Sequence, residues 1–343
     1  MKVENPTSRD IAHIAGVSQA TVSRALRNSP LVRKETRDRV QAIAREMNYF
    51  VNRNAAGLRT HQSNTLALLL FDDASDSDAR INLFLMSLLD NIVRIASGLG
   101  YDVLVSLQQL SDDWHIQYQA SNRADGLILL GYGDYMEYRE KLVALANANT
   151  RFMIWGPLVK DLPGHTFGCD NENGGFQATR HLIDLGRRNI AFIGSQSWRS
   201  PEHGARHAGY LRAQQEAGVE CNERLRIAAD NSEHQGYEAT MQLLDSGESL
   251  DAIFAGTDLI AIGAMRALRA AGKRVPDDVS VVGFDDMPLA AYVSPGLTTV
   301  QQNSALGAEG LVNGIVGLIK GEPVESTLMA PRLIVRQSCG ATA

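Results

Sequence analysis

From Thr65 onward, short apolar runs alternate with longer stretches of helical period, and this alternation limits the architectures open to the chain. "TLALLL" precedes the amphipathic "LFLMSLLDNIVRIASGLG", and "YDVLVSL" precedes a helical stretch ending near Asn122. "DGLILLG", "YREKLVALANA" and "RFMIWG" continue the pattern. After Pro163 it resumes: helical "GGFQATRHLIDLG", strand "NIAFIG", helical "GARHAGYLRAQQEAG", strand "RLRIAAD", helical "HQGYEATMQLLDSG" and strand "DAIFAG". "DLIAIGAMRALRAAG" and "VSVVGFDD" complete this second half. Strands alternating with helices at this spacing predict doubly wound parallel sheets, and the two halves form a crude repeat.

The first 60 or so residues break this pattern in charge as well as in period. Residues 1–62 hold 11 Lys and Arg against 5 Asp and Glu, whereas the whole chain holds 33 against 39. A small basic head on a large acidic body predicts that the head meets a polyanion. At 343 residues there is material for two or three domains. No apolar run is long enough to span a bilayer, and "MKVENPTSRD" has no apolar signal core. Cys169, Cys221 and Cys339 are odd in number, far apart and outside any CxxC spacing. They predict neither a disulfide framework nor a zinc site, and a reducing cytoplasm fits them.

Within the head, Thr7 to Asp10 reads as a capping box, and Ile11, Ala12 and Ala15 share one face of a short helix. Gly16 stops that helix, Val17 is a buried linker, and Ser18 caps a second helix, "QATVSRALRN". Val22 and Leu26 face the first helix. Thr36, Val40, Ile43, Ala44 and Met47 form one stripe of a third, "KETRDRVQAIAREMNY". Two short helices joined by a tight turn make a helix-turn-helix. A purely structural bundle explains the apolar positions but not the polar start of helix two. There Gln19, Ala20 and Arg24 suit base edges: Gln pairs with adenine, Arg with guanine, and an Ala methyl packs on thymine. Ser18, Thr21, Ser23, Arg33, Lys34 and Arg37 suit phosphates.

The pattern A-x-x-A-G-V-S-x-x-T-V-S-R-x-L, followed by T-R-x-x-V and N-Y, resembles the head of the Lac repressor family of bacterial transcription regulators. The resemblance implies that "VNRNAAGLRTHQ" contains a hinge helix that orders on operator DNA. Asn52 would cap it, Ala55 and Ala56 would let two hinge helices approach, and Leu58 would wedge into the minor groove. Gly57 and the short length make such a helix marginal on its own. Val51 stands where the family often has Pro.

The resemblance extends to the body, which it implies is two subdomains of the type I periplasmic-binding-protein fold. The expected domains are a helix-turn-helix at 1–50, a hinge at 51–62 and an effector-binding and dimerisation domain at 63–343. The N-subdomain is expected over about 63–160 and 296–320, and the C-subdomain over about 161–290 and 323–338. Pro and Gly place the three crossings near Gly156–Pro163, Pro288–Pro295 and Lys320–Pro323.

By the same resemblance "ARHAGY" selects Arg206 and "GFDD" selects Asp285 as effector contacts. Converging Arg and Asp suit vicinal sugar hydroxyls; the plain alternative is a structural salt bridge. Asn231, Phe84, Trp155 and Trp198 are further candidates, each with packing as its alternative. Asp170 and Asn171 read as caps of the next helix. Ser200 and Glu202 fall near positions where purine-binding members carry Arg and Thr, which disfavours a nucleobase.

The expectation is therefore a cytoplasmic homodimeric regulator, a repressor released from a pseudo-palindromic operator by a sugar, with no cofactor, metal or membrane partner. A periplasmic-type sugar-binding protein would share the body but not the head. An enzyme is not expected: no G-x-S-x-G or Walker A occurs.

Overall fold

The structure is a computed structural model describing all residues except 1–5, 50–61, 73–82, 110–117, 119–120, 132–134, 197–199 and 342–343. The expected hinge helix with Leu58, and also Trp198, lie outside the described residues. The chain forms two compact units, Met1–Ser63 and Asn64–Ala343.

In the first unit, helices α1 (Ser8–Ala15), α2 (Gln19–Leu26) and α3 (Lys34–Glu46) surround one small core. Ile11, Ala12, Ala15, Val22, Ala25, Val32, Val40 and Ala44 are buried together. The Asp10 carboxylate accepts from the Thr7 N–H at 2.8 Å and from its hydroxyl at 2.7 Å, which fixes the start of α1. Gly16 ends α1 at φ 63°, a left-handed conformation in which an L side chain is strained. Val17, expected to be buried, is half-buried beside this core. Helix α3 ends earlier than its sequence pattern implies, because Asn48 turns to φ 50° and breaks the helical run.

The second unit contains two six-stranded sheets. The first is built from β1 (Thr65–Asp72), β2 (Asp102–Gln109), β3 (Gly126–Leu130), β4 (Phe152–Trp155), β5 (His165–Cys169) and β11 (Thr327–Met329). Their order is β11-β5-β4-β3-β1-β2. The second takes β6 (Ile190–Ile193), β7 (Arg226–Ile227), β8 (Ala252–Ala255), β9 (Ser280–Asp285), β10 (Thr298–Gln301) and β12 (Arg332–Ile334), in the order β12-β10-β9-β8-β6-β7. Among the described residues, all pairings are parallel except β10 with β12.

The apolar runs are continuous because both sheet faces are covered. Along β1, Leu66, Leu68 and Leu70 pack under α4 (Leu83–Gly98) and α10 (Ser304–Lys320), while Ala67 and Leu69 pack under α5 (Tyr135–Asn147). In the second sheet Phe192, Phe254 and Phe284 meet α6 (Asn171–Asp184) and α7 (Pro201–Glu216). On the opposite face Ile193, Ile253 and Val281 meet α8 (Glu233–Asp245) and α9 (Asp258–Ala270). Each fully buried Leu or Phe contributes on the order of 2 kcal/mol against conformational entropy.

Helices α6 and α7 approach closely enough to exclude side chains. A Cβ on Gly175 would lie 2.1 Å from the Arg206 carbonyl oxygen, and one on Gly209 2.0 Å from the Glu172 carbonyl oxygen. This crossing sets where α7 holds Arg206 over the second sheet.

The crossings between sheets differ from those expected. β5 still belongs to the first sheet, so the first crossing falls at Asp170 rather than within Gly156–Pro163. β10 pairs with β9, so residues 298–301 lie in the second sheet, not with the N-subdomain, and the crossing falls at Gln302 and Asn303. β11 pairs with β5, which moves the third crossing from Lys320–Pro323 to Ala330 and Pro331. Pro and Gly mark turns wherever they occur; here the clusters around Pro163, Pro295 and Pro323 mark turns on one side of a crossing. The expected strand "RLRIAAD" is strand only in the two-residue edge strand β7, which follows the 3-10 turn Glu223–Leu225, while residues 228–230 are irregular.

Candidate functional site

The head presents its polar residues outward because its apolar ones are consumed by the core. In α2, Val22 and Ala25 are buried, while Ser18, Gln19, Ala20 and Arg24 are exposed and Thr21 and Ser23 half-buried. Ser18 Oγ accepts from the Thr21 N–H at 3.1 Å, which caps the helix and leaves its first turn facing solvent. At the other end Gln41 of α3 donates to the Ala25 carbonyl at 3.3 Å and to Asn28 Oδ1 at 2.7 Å, which clamps α2 to the bundle. Arg33 and Lys34 are exposed at the start of α3, with Arg37 half-buried one turn on.

Ser23, expected to meet phosphate, has its hydroxyl engaged by Arg27 Nη2 at 2.8 Å, and Arg27 Nε donates to the Ser23 carbonyl at 3.1 Å. The exposed Arg27 was not singled out from sequence; its spacing of three from Arg24 along one helix was the available signal.

In the body, Arg206 and Asp285 are brought together at the carboxyl ends of the second sheet's strands, with Nη2 to Oδ1 at 3.5 Å. Both are almost fully buried, at 4% and 3% exposure. Arg206 Nε donates to Asn171 Oδ1 at 2.9 Å and Nη1 to the Gly256 carbonyl at 2.6 Å. The guanidinium also lies over the Phe284 ring, 3.8 Å from its centroid. Asp285 Oδ1 accepts from Gln302 Nε2 at 2.7 Å, while Oδ2 is buried without a hydrogen-bond partner among the described residues. Asp285 holds φ 116°, a conformation rare outside glycine and stored where strand β9 turns at the site. Burial raises its carboxyl to about 6, opposed by the Arg206 charge and the Gln302 hydrogen bond.

Around this pair lie further polar groups. Asp258, wholly buried, accepts from the Thr299 hydroxyl and from the Met287 N–H at 2.7 Å. Burial, and next the Asp285 charge, push its carboxyl well above the usual range. His203, one turn before Arg206, has a buried Nδ1 without a partner among the described residues. Burial, then the Arg206 charge, lower its imidazole to about 3, so it is neutral. Glu202 is close enough to Tyr138 of α5 that its charge, after burial, raises the phenol; Tyr138 in turn packs edge-on against Phe71 at 5.3 Å. The start of α7 therefore faces the first sheet's side of the molecule.

Asn231 lies beside this constellation: its Oδ1 accepts from the Thr257 hydroxyl at 2.7 Å, and Thr257 caps α9 next to Gly256. Phe84 and Trp155 are buried in the first sheet's core and pack on each other at 5.4 Å, with Gly307 of α10 against the indole. Their visible work is packing. Gln302 and Gly256, which carry no local sequence signal, bond the pair, and Asn171, expected as a cap, instead accepts from Arg206. The cap is Asp170, whose Oδ1 accepts from the Asn173 N–H at 3.0 Å. No group of three or more His, Cys, Asp or Glu among the described residues is arranged to hold a metal.

Comparison with known proteins places the chain in a family. Residues 7–52 match the family described as bacterial regulatory proteins, lacI family, and residues 179–339 match the periplasmic binding protein-like domain. The chain is 31% identical to the HTH-type transcriptional repressor PurR of Erwinia tasmaniensis, over 97% of this chain and 96% of that one. It is also 31% identical to the HTH-type transcriptional regulator CelR of Thermobifida fusca, over 97% and 98%. The structure of a CelR–cellobiose complex superposes with TM-score 0.71 at 31% identity, covering 97% of this chain and all of that one. The Lac repressor dimer bound to operator and the anti-inducer ONPF superposes with TM-score 0.85 at 26% identity, covering 98% and 100%.

Proposed function

Because the chain belongs to the lacI family of bacterial regulatory proteins, and so is a DNA-binding transcriptional regulator, we propose that it is a homodimeric repressor controlled by an uncharged sugar. The sugar binds beside Arg206 and Asp285. Gln19, Ala20 and Arg24 read bases in the major groove, and Ser18, Thr21, Arg33, Lys34, Arg37 and Arg27 hold phosphates. Leu58 is the minor-groove wedge between half-sites. A sugar that prefers one arrangement of the two sheets shifts operator affinity by its difference in affinity for the two arrangements, on the order of 1–3 kcal/mol.

The observation that carries the sugar reading is the unpartnered Asp285 Oδ2 next to an already neutralised Arg206. The guanidinium gives hydrogen bonds to Asn171 and Gly256 and lies against Asp285, so its charge is balanced within the protein. Glu202 adds a further acid nearby. An anionic effector, such as a sugar phosphate, would meet an Arg206 whose charge Asp285 already balances. A hydroxyl donates to Asp285 Oδ2, and neutral His203 and the Asn231 amide supply further polar contacts. The regulatory head disfavours the alternative of a binding protein without a regulatory role. The reading is tested by a thermal-shift screen of the purified chain with cellobiose, lactose, maltose, glucose and glucose 6-phosphate. A neutral sugar raises the melting temperature and the phosphate does not; stabilisation by the phosphate alone would overturn it.

A further inference from the structure

Two of the polar groups holding the Arg206–Asp285 pair stand where the chain changes sheets. Asn171 follows β5 of the first sheet by two residues and opens α6, which packs on the second sheet. Gln302 follows β10 of the second sheet and precedes α10, which packs on the first. Asn171 is fixed at both ends of its amide: Nδ2 donates to the Cys169 carbonyl of β5 at 3.0 Å, and Oδ1 accepts from Arg206 Nε at 2.9 Å. Gln302 Nε2 donates to Asp285 Oδ1 at 2.7 Å, and its backbone N–H approaches the Asp285 carbonyl at 3.4 Å. The third crossing joins the same web, because the Asp170 N–H donates to the Met329 carbonyl at 3.0 Å, at the end of β11.

We propose that Asn171 and Gln302 are positioning residues that tie the effector-binding pair to the strand crossings, so that occupancy of the pair sets the angle between the sheets. The inference rests on Arg206 and Asp285 being the effector site. Its physical basis is stiffness. Charge-assisted hydrogen bonds of 2.7 to 2.9 Å lose most of their strength when stretched beyond about 3.5 Å. A change of sheet angle must pivot at the crossings, and both bonds begin there. The pair and the pivot therefore cannot relax independently, which is the two-state element that coupling requires.

Two experiments on the full chain test this. The first needs no sugar: amide hydrogen exchange is compared between wild type and Asp285→Ala. Exchange is expected to accelerate tenfold or more at amides 170–175 and 302–307, with the β1 and β3 amides unchanged. Unaltered exchange at the crossings would overturn the tie. The second uses whichever of cellobiose, lactose, maltose or glucose stabilises the protein, at a concentration that calorimetry shows to be saturating. In Asn171→Ala and Gln302→Ala the shift in operator affinity caused by the sugar is expected to fall below twofold. Asn171→Asp keeps the acceptor facing Arg206 but loses the Nδ2 donor to the Cys169 carbonyl, and is expected to leave the shift below twofold as well. An undiminished shift in both alanine variants would make these residues mere packing and overturn the proposal. If none of the sugars binds wild type, the sugar reading fails, and the exchange experiment alone decides the tie.

Discussion

Arg206 and Asp285 form a buried ion pair of 3.5 Å in which the acid retains an open oxygen and the base does not retain an open charge. On the proposed reading, that oxygen receives a sugar hydroxyl. The pair also predicts a measurable cost for disrupting either partner. Removing one member of a buried pair strands the other, a loss of about 3–5 kcal/mol. Arg206→Ala is expected to lower the urea midpoint of the body accordingly and to abolish sugar-induced stabilisation, while the head's melting transition stays in place. A variant with wild-type body stability would show that Asp285 is solvated, protonated or paired elsewhere.

The same pair predicts a pH dependence of definite sign. Asp285 has a folded-state pKa near 6, raised by burial above its unfolded value. Between those two values the folded protein holds more protons than the unfolded chain, so this group's contribution is present in acid and is lost as pH rises through about 6. Asp258, raised also by burial, acts in the same direction. The stability difference between wild type and Asp285→Asn, from urea titrations at pH 4 to 7.5, is expected to shrink with rising pH and level off above about 6.5. A difference that grows with pH would contradict the assignment.

Helix packing predicts a third effect. Ala at Gly209 would place a methyl 2.0 Å from the Glu172 carbonyl oxygen, a backbone atom that cannot swing aside. α7 must therefore lift from α6, carrying Arg206 with it. Gly209→Ala is expected to destabilise the body by about 1–3 kcal/mol and to weaken sugar binding. The same substitution at Gly218, where no atom lies within 4 Å and only φ 65° is at stake, is expected to leave sugar affinity unchanged.

For the head, operator affinity is expected to fall steeply as salt rises, and Arg27→Ala and Lys34→Ala to reduce that slope by about one each. Arg24→Ala is expected to relax discrimination at one base position instead. Leu58→Ala is expected to weaken operator binding while leaving non-specific binding nearly intact. Competition binding at several salt concentrations separates these outcomes; equal losses on specific and random DNA for Leu58→Ala would remove the wedge.

The sequence made the head legible almost to the residue, because helix caps and core spacing are local: Thr7, Asp10, Gly16 and Ser18 act within a few positions of themselves. The alternation of strands and helices was legible for the same reason. The crossings were not, since the sheet that β5 or β10 joins is set by backbone pairing, including that with β11 and β12 farther along the chain, which leaves no mark in a local pattern. Arg206 and Asp285 were reached by resemblance. Asn171 and Gln302, 35 and 17 residues from the groups they bond, carry no local signature. Phe84 and Trp155 show the converse: aromatic residues near strand and helix ends that the fold uses to fill its core.

In the proposed function, one neutral sugar on Arg206 and Asp285 controls DNA affinity. The most direct test is operator binding by the full-length protein, titrated with the stabilising sugar, in wild type and Arg206→Ala. Wild-type affinity is expected to shift by about five- to 150-fold and the variant's to stay constant while it still binds operator. An equal shift in both proteins, or none in wild type at saturating sugar, would contradict the account.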